Sequence, residues 1–269
     1  PDHLQKSKRI RYNKNWKGSG AVNGQCIAVV SGKGGTGKTS LTAGVGTALA
    51  LSGQRVLCVD CDIGLRNLDL ALGLTDRALM DFSDVAQNRC SLESAVVSHP
   101  NVPNLYLLTA PVRMRGPAVT TLDFRLMLGK IRQQFDYCLL DAPAGLGEGF
   151  RLAVCAADRC VVVTTQDASS LRDAQHTVME LRSFGPGRLH LVVNRVKKKL
   201  LHNMHATIDD AIDKAGLPLI GVVPEDDALP LALNRGVPLL LASRGGAAGA
   251  YRNIAIRLQG GRAPLLRIR

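Results

Sequence analysis

The chain has 269 residues, of which 46% are hydrophobic and 4% aromatic, and it carries a formal net charge of +12. This length suits one large domain with a substantial core. No apolar stretch approaches the roughly 20 uninterrupted residues of a membrane-spanning helix, and we find no secretory signal pattern. We therefore expect a cytoplasmic protein whose seven cysteines are reduced.

The positive charge is concentrated at the two ends of the chain. Residues 1–20 carry six Lys or Arg and one Asp, and residues 244–269 carry six Arg and no acid. Such ends favour an anionic surface, either nucleic acid or acidic lipid, and charge that serves solubility alone is the alternative. We predict that residues 1–24, which lack periodicity, form a basic disordered extension.

From residue 25 onward, apolar runs alternate with helical segments, which predicts a mostly parallel sheet with helices on both faces. We read residues 25–260 as one domain and residues 261–269 as a basic C-terminal tail. In chain order the predicted strands are 26–31, 55–60, 105–109, 137–141, 160–165, 190–194 and 219–223. The predicted helices are 37–52, 82–88, 120–134, 148–156, 168–183, 205–215, 226–235 and 246–259.

The first predicted strand and helix are joined by a glycine-rich loop, residues 31–40, with the sequence SGKGGTGKTS. Gly32 with Gly37-Lys38-Thr39 satisfies the phosphate-loop pattern G-x-x-x-x-G-K-[ST], and the strand and helix supply the required context. Glycines let backbone N–H groups surround phosphate oxygens, and the helix directs its positive end at them. Lys38 would reach the outer phosphates and Thr39 would ligate Mg²⁺. The predicted phosphate contacts are Gly34, Gly35, Thr36, Gly37, Lys38, Thr39 and Ser40.

A second lysine, Lys33, lies inside this loop, where an ordinary phosphate loop needs only Lys38. The pattern resembles the deviant Walker A ATPases, the MinD/ParA family. In that family the first lysine reaches the partner's nucleotide across a dimer interface. The resemblance implies P-loop ATPase activity that is slow and dimer-dependent, with ATP and Mg²⁺ as cofactors. A solvated loop lysine is the alternative reading of Lys33.

Two carboxylates, Asp60 and Asp62, follow the second predicted strand, at the sheet edge where α/β proteins bind ligands. The string from Ile63 to Leu74 then resembles the switch I region of the MinD branch more than that of the ParA branch. By this resemblance Asp62 positions the attacking water, while Asp60 lies near the metal or the coupling loop. The predicted catalytic residues are Lys33, Lys38 and Asp62.

Three later segments complete the predicted site. Asp141 ends an apolar strand in the Walker B arrangement and would hold Mg²⁺ together with Thr39. Gly145 stands in a segment that resembles switch II, where a backbone N–H would sense the γ-phosphate. By the same resemblance Asn194 reads the adenine edge beside Arg195, and Pro224 belongs to the loop near the base.

The resemblance to the MinD branch also implies a cellular role. It predicts an ATP-state homodimer that binds an anionic membrane surface at the inner face of the cell membrane. Together with MinC-like and MinE-like regulators, it would place the bacterial division septum. The tail 261–269, in which Leu265, Leu266 and Ile268 alternate with arginines, is a weak candidate for membrane targeting.

Two other functions stay open at this point. One is a partition or flagellar-placement ATPase of the ParA type, in which the basic ends would contact nucleic acid. The Gly64–Leu70 string makes nucleic acid the less favoured partner. The other is a non-hydrolysing metal-cluster carrier that would use Cys58 and Cys61 as ligands.

Overall fold

A computed structural model describes residues 23–114, 116–185, 187–197 and 208–265. Its strands are β1 Gln25–Val30, β2 Val56–Asp60, β3 Val97–Ser98, β4 Leu105–Leu108, β5 Tyr137–Asp141, β6 Arg159–Thr164, β7 Leu189–Val196 and β8 Leu219–Pro224. The longer helices are α1 Lys38–Leu51, α5 Thr121–Arg132, α6 Glu148–Val154, α7 Ala168–Glu180, α8 Ile208–Ala215, α9 Ala228–Asn234 and α11 Gly246–Leu258. Four single-turn helices are α2 Leu68–Ala71, α3 Phe82–Ala86, α4 Leu92–Ala95 and α10 Leu239–Ala242.

The eight strands form one sheet in the order β3-β4-β2-β5-β1-β6-β7-β8. All neighbouring pairs are parallel except β3 with β4. The predicted fold class, a mostly parallel sheet covered by helices, is therefore confirmed. The central position of β1 places the glycine-rich loop beside the carboxyl ends of β5 and β6, where parallel-sheet proteins bind ligands.

Two core layers cover the sheet because successive residues of a strand point to opposite faces. Ile27 and Val29 of β1 pack in the layer that contains α1 and α11. Cys26, Ala28 and Val30 pack in the layer that contains α5, α6 and α7. Both faces of β1 are thus buried, which explains why its sequence is continuously apolar rather than alternating.

The predicted strands and helices lie within three residues of the observed ones wherever the structure describes them. The sequence patterns missed β3, α2, α4 and α10 because two to four residues are too few to show a periodicity. The antiparallel edge formed by β3 was not expected. Residues 1–22 of the predicted extension 1–24 lie outside the described residues, and so do residues 266–269 of the predicted tail.

Among the helices that the structure describes, none combines the length and the apolarity needed to cross a bilayer.

Candidate nucleotide site

The glycine-rich loop connects β1 to α1 and forms one wall of a pocket of about 520 Å³. Gly35 and Gly37 have φ angles of +78° and +86°, a left-handed conformation that lets consecutive N–H groups converge on an anion. A Cβ atom added to Gly37 would lie 2.3 Å from Asn194 Nδ2. Glycine at position 37 therefore meets both a conformational and a steric requirement of the loop.

The pocket gathers most of the predicted site. Of the predicted residues outside the loop, Asp62, Asn194, Arg195 and Pro224 line it. Gly145 has a φ angle of +83° in the loop after β5, but it is not among the lining residues. These side chains come from strands distant in sequence, and the parallel sheet brings their carboxyl ends together.

Lys38 begins α1 and is 7% exposed. Its Nζ donates a hydrogen bond to Ser31 Oγ at 2.8 Å, and Ser31 Oγ donates to the Lys33 carbonyl at 2.7 Å. Burial lowers the pKa of Lys38, and the charges of Asp141 and Asp62 oppose that shift. Sequence reasoning missed Ser31 as the partner of Lys38, although it stands at the first position of the loop.

Asp141 ends β5 and lies beside Asp60 in the sheet register. Burial and the charge of Asp60 raise the pKa of Asp141 to about 7, while hydrogen bonds from Thr39 and Thr42 and the charge of Lys38 lower it. Thr42 Oγ1 donates to Asp141 Oδ1 at 3.2 Å. Thr39, on the first turn of α1, also donates a hydrogen bond to Asp141, and hydroxyl and carboxylate oxygens are ligands that Mg²⁺ takes, so Thr39 and Asp141 fit the predicted metal position.

Asp60 organises the loop that follows β2. Its Oδ1 accepts from Asp62 N at 2.9 Å and its Oδ2 accepts from Leu68 N at 3.1 Å. Burial raises the pKa of Asp60 to about 6, and the two backbone hydrogen bonds counter that shift. Asp60 thus lies between Asp141, its neighbour in the sheet, and the segment after β2, and it fixes the backbone of Asp62, whose residue lines the pocket.

Asn194 and Arg195 lie near the end of β7, beside the glycine-rich loop. Asn194 is buried, and its Nδ2 donates to the Thr36 carbonyl at 2.8 Å. Arg195 Nη1 donates to the Gly35 carbonyl at 3.1 Å, and Nη2 lies 3.3 Å from Glu225 Oε1. In this structure both side chains support the loop, a contact that the sequence did not reveal, and their predicted role at the base stays a prediction.

Lys33 lies on the rim, away from the Lys38 pocket. Its Nζ is 2.9 Å from Asp167 Oδ1 and 2.8 Å from Ser169 Oγ, at the start of α7. Burial raises the pKa of Asp167, but hydrogen bonds from Thr165, Lys33, Ser170 and Ser169 outweigh burial and hold that pKa below its ordinary value. Asp167 was not predicted, although an Asp before Ala-Ser-Ser is a common helix N-cap pattern.

The geometry does not support a metal-cluster site at Cys58 and Cys61. Cys58 packs in the core layer of α1, whereas Cys61 packs in the opposite layer. Burial raises the pKa of both thiols above the ordinary value, which disfavours the thiolates that a metal needs. Among the residues described here, no three His, Cys, Asp or Glu side chains form a group able to hold a metal.

The parallel sheet, the phosphate loop after its central strand and the strand-end aspartates define a P-loop nucleotide-binding protein. The comparisons with known proteins agree. A family model described as the CobQ/CobB/MinD/ParA nucleotide binding domain matches residues 27–239. The septum site-determining protein MinD of Bacillus subtilis is 40% identical over 247 residues, which are 90% of this chain and 91% of that protein.

Solved structures show the same relationship. The MinC:MinD cell division protein complex of Aquifex aeolicus has a TM-score of 0.83 and 36% identity, over 90% of this chain and 98% of that one. MinD of Pyrococcus horikoshii complexed with Mg-ADP has a TM-score of 0.74 and 27% identity, over 87% and 95% of the two chains. The chain therefore belongs to the MinD branch of the MinD/ParA nucleotide-binding family, which confirms the resemblance seen in the sequence.

Proposed function

We propose that this chain is an ATPase that dimerises when it binds ATP with Mg²⁺, binds the membrane in that state and regulates where the division septum forms. Its similarity to septum site-determining proteins at 40% and 38% identity supports the cellular role. The pocket and its lysine, hydroxyl and carboxylate groups support nucleotide hydrolysis.

The observation that carries the dimer proposal is the separation of the two loop lysines. Lys38 is buried in the pocket, where it would bind the phosphates of its own nucleotide. Lys33 points to the rim, where its side chain is 34% exposed and paired with the half-exposed Asp167. A solvated ion pair of this kind is worth only about 0.2–1 kcal/mol. Lys33 is therefore free to exchange Asp167 for phosphate oxygens of a second protomer at little cost.

Hydrolysis would use Lys38, Thr39 and Asp62, which line the pocket, together with Asp141 at the end of β5. Mg²⁺ held by Thr39 and Asp141 supplies charge neutralisation on the phosphates when it is bound. Asp62 lines the same pocket and would orient the attacking water. Lys38 stabilises negative charge on the outer phosphates, since phosphoryl transfer depends mainly on positioning and charge.

Partner binding follows from the same family. The Aquifex aeolicus relative is described in complex with MinC, and we propose a MinC-like partner and a MinE-like regulator for this chain. The cellular location proposed here is the inner face of the cell membrane, where the protein would be bound peripherally.

Light scattering and phosphate release with ATP and with ADP test the proposal. We expect the wild type to be dimeric with ATP and monomeric with ADP. Lys33→Ala should stay monomeric with ATP while largely keeping its nucleotide affinity, and Asp62→Ala should stay dimeric and release little phosphate. Lys130→Ala removes an exposed lysine on α5 and serves as the control. Normal ATP-dependent dimerisation of Lys33→Ala would refute the role of Lys33 in the dimer.

A further inference from the structure

A second cavity, of about 370 Å³, shares the glycine-rich loop as a wall with the nucleotide pocket, because Gly34 and Gly35 line both spaces. Its other walls are the connection between β6 and α7, the end of β7 and the residue after β8. We call it the outer cavity, and the side chains that define it are Lys33, Thr36, Gln166, Asp167, Lys197 and Glu225.

Two buried polar groups in the lining of the outer cavity are unpaired. Thr36 is 2% exposed and Gln166 is 7% exposed. Within the described part of the chain, neither Thr36 Oγ1 nor Gln166 Nε2 has a hydrogen-bond partner. An unpaired buried polar group is costly, and in a native protein it calls for a ligand, an ion or a water as its partner. These two groups therefore point to an occupant of the cavity.

The backbone fixes which way the Gln166 amide is turned. Lys197 N donates to Gln166 Oε1 at 3.2 Å, and only the oxygen of an amide can accept from an N–H group. Gln166 Nε2 is therefore the unpaired end, and it offers two N–H donors and no acceptor. The Thr36 hydroxyl can donate as well. An occupant that pairs both groups must be rich in acceptors.

The charge of the outer cavity favours an anion. Three cationic side chains and two carboxylates line it, and the cations are Lys33, Arg195 and Lys197. Asp167 is already paired with Lys33 at 2.9 Å. Glu225 is paired with Arg195 at 3.3 Å and with Lys197 at 3.2 Å. Because both carboxylates have cationic partners, one positive charge is left in surplus for an occupant.

We infer that the outer cavity binds an oxyanion of the phosphate class, and that inorganic phosphate, the product of the proposed hydrolysis, is a ligand for it. The donors lie on three walls, and a tetrahedral oxyanion presents acceptor oxygens in several directions. Gln166 Nε2 and Thr36 Oγ1 would donate to it, and Lys197 would neutralise part of its charge. A carboxylate, whose two oxygens lie in one plane with its carbon, would match the donors of fewer walls.

Binding of phosphate here would keep Lys33 in its own protomer. The anion adds a second negative partner for Lys33 beside Asp167, whereas the proposed dimer needs Lys33 at the nucleotide of the other protomer. This step rests on the proposed function and adds regulation to it. Phosphate in the outer cavity and ATP-dependent dimerisation then exclude each other, so phosphate weakens the dimer by mass action at both protomers.

Isothermal titration calorimetry of the Mg-ADP form measures phosphate binding where we expect a monomer, with chloride at equal ionic strength as the blank. Gln166→Glu keeps the oxygen that accepts from Lys197 N and replaces the Nε2 donor by a carboxylate oxygen. Gln133→Glu makes the same charge change at an exposed position at the end of α5 and is the matched control. Lys197→Gln, at an exposed position, is a second variant that removes one cation from the cavity.

We expect the wild type and Gln133→Glu to bind phosphate alike. Gln166→Glu should bind it at least about tenfold more weakly, because a hydrogen bond to a charged ligand is lost and a like charge is added. Lys197→Gln should bind it roughly two- to fivefold more weakly, as for other exposed charge pairs.

Sedimentation equilibrium with Mg²⁺ and a non-hydrolysable ATP analogue measures the effect of phosphate on the dimer. Phosphate at its own dissociation constant should weaken the wild-type dimer about fourfold, from about twofold for each protomer. Each variant is compared with its own phosphate-free value, and Gln166→Glu should show little response to the same phosphate concentration.

Four outcomes would overturn the inference while the proposed function stands. The first is that the ADP form binds no phosphate although ATP drives normal dimerisation. The second is equal phosphate affinity of Gln166→Glu and the wild type, which would place the anion in the nucleotide pocket. The third is acetate that binds as tightly as phosphate, and the fourth is phosphate binding that leaves the dimer unchanged, which would refute the link to Lys33. If the wild type does not dimerise with ATP, the proposed function fails, and calorimetry of Gln166→Glu still decides the phosphate site.

Discussion

The ion pair between Lys33 and Asp167 offers a direct test of how the proposed dimerisation is restrained. Asp167→Asn removes the negative charge that faces Lys33 but keeps a side-chain oxygen at the N-cap of α7, where Ser170 N donates at 3.0 Å. Asparagine is as good an N-cap as aspartate, so α7 should be preserved. The variant therefore removes the charge that faces Lys33, and with it the acceptor of the Thr165 hydroxyl, while the N-cap bond to Ser170 is kept.

The expected magnitude follows from the exposure of the pair. Lys33 and Asp167 side chains are 34% and 50% exposed, so the pair contributes about 0.2–1 kcal/mol. A symmetric dimer would break two such pairs, which amounts to about 0.4–2 kcal/mol. The dimer dissociation constant of Asp167→Asn should therefore fall by roughly two- to thirtyfold.

Sedimentation equilibrium with Mg²⁺ and a non-hydrolysable ATP analogue measures this constant. Glu180→Gln removes one acid from the exposed far end of α7 and should leave the constant unchanged. Weaker dimerisation of Asp167→Asn would show that Asp167 supports the dimer instead of restraining it, and the reasoning would be wrong. An increase in ionic strength should reduce the difference between Asp167→Asn and the wild type.

Two further predictions concern stability, each measured by urea unfolding. His99 Nδ1 accepts hydrogen bonds from Asn101 N and Val102 N, and burial lowers the pKa of the His99 ring. The unfolded chain therefore takes up a proton at this ring at a higher pH than the folded chain does. The free energy of unfolding should fall as the pH drops below the unfolded-state pKa of about 6.5. Between about pH 7 and 5, His99→Asn should lose part of this pH dependence, whereas His176→Asn, at an exposed position, should keep it. Equal pH profiles for His99→Asn and the wild type would exclude His99 as the cause. Gly44→Ala should destabilise by about 1–3 kcal/mol, because its Cβ would lie 2.1 Å from the buried ring of Tyr251. Gly129→Ala, which meets nothing within 4 Å on α5, should instead stabilise by about 0.5–1 kcal/mol, and equal effects of the two would contradict the packing argument.

The sequence by itself determined the elements whose signals are local. The phosphate loop is contiguous, so its glycines, Lys38 and Thr39 identify both the turn and its chemistry. The apolar runs of β1, β5 and β7 are continuous because both faces are buried, and their alternation with helical segments predicts a covered parallel sheet. Lys33 and the segment after Asp60 pointed to the MinD branch, which the comparisons confirm.

Only the tertiary structure decided how distant residues meet. The partner of Lys33 lies 134 residues away, and the loop contact of Asn194 spans 158 residues. Strand order brings such residues together, and no local periodicity encodes strand order. It also brings Arg159, which neighbours Ile27 of β1, to the Leu258 carbonyl at the end of α11. The local sequence thus specified the phosphate-binding loop, whereas the packing of the sheet decided which side chains restrain it.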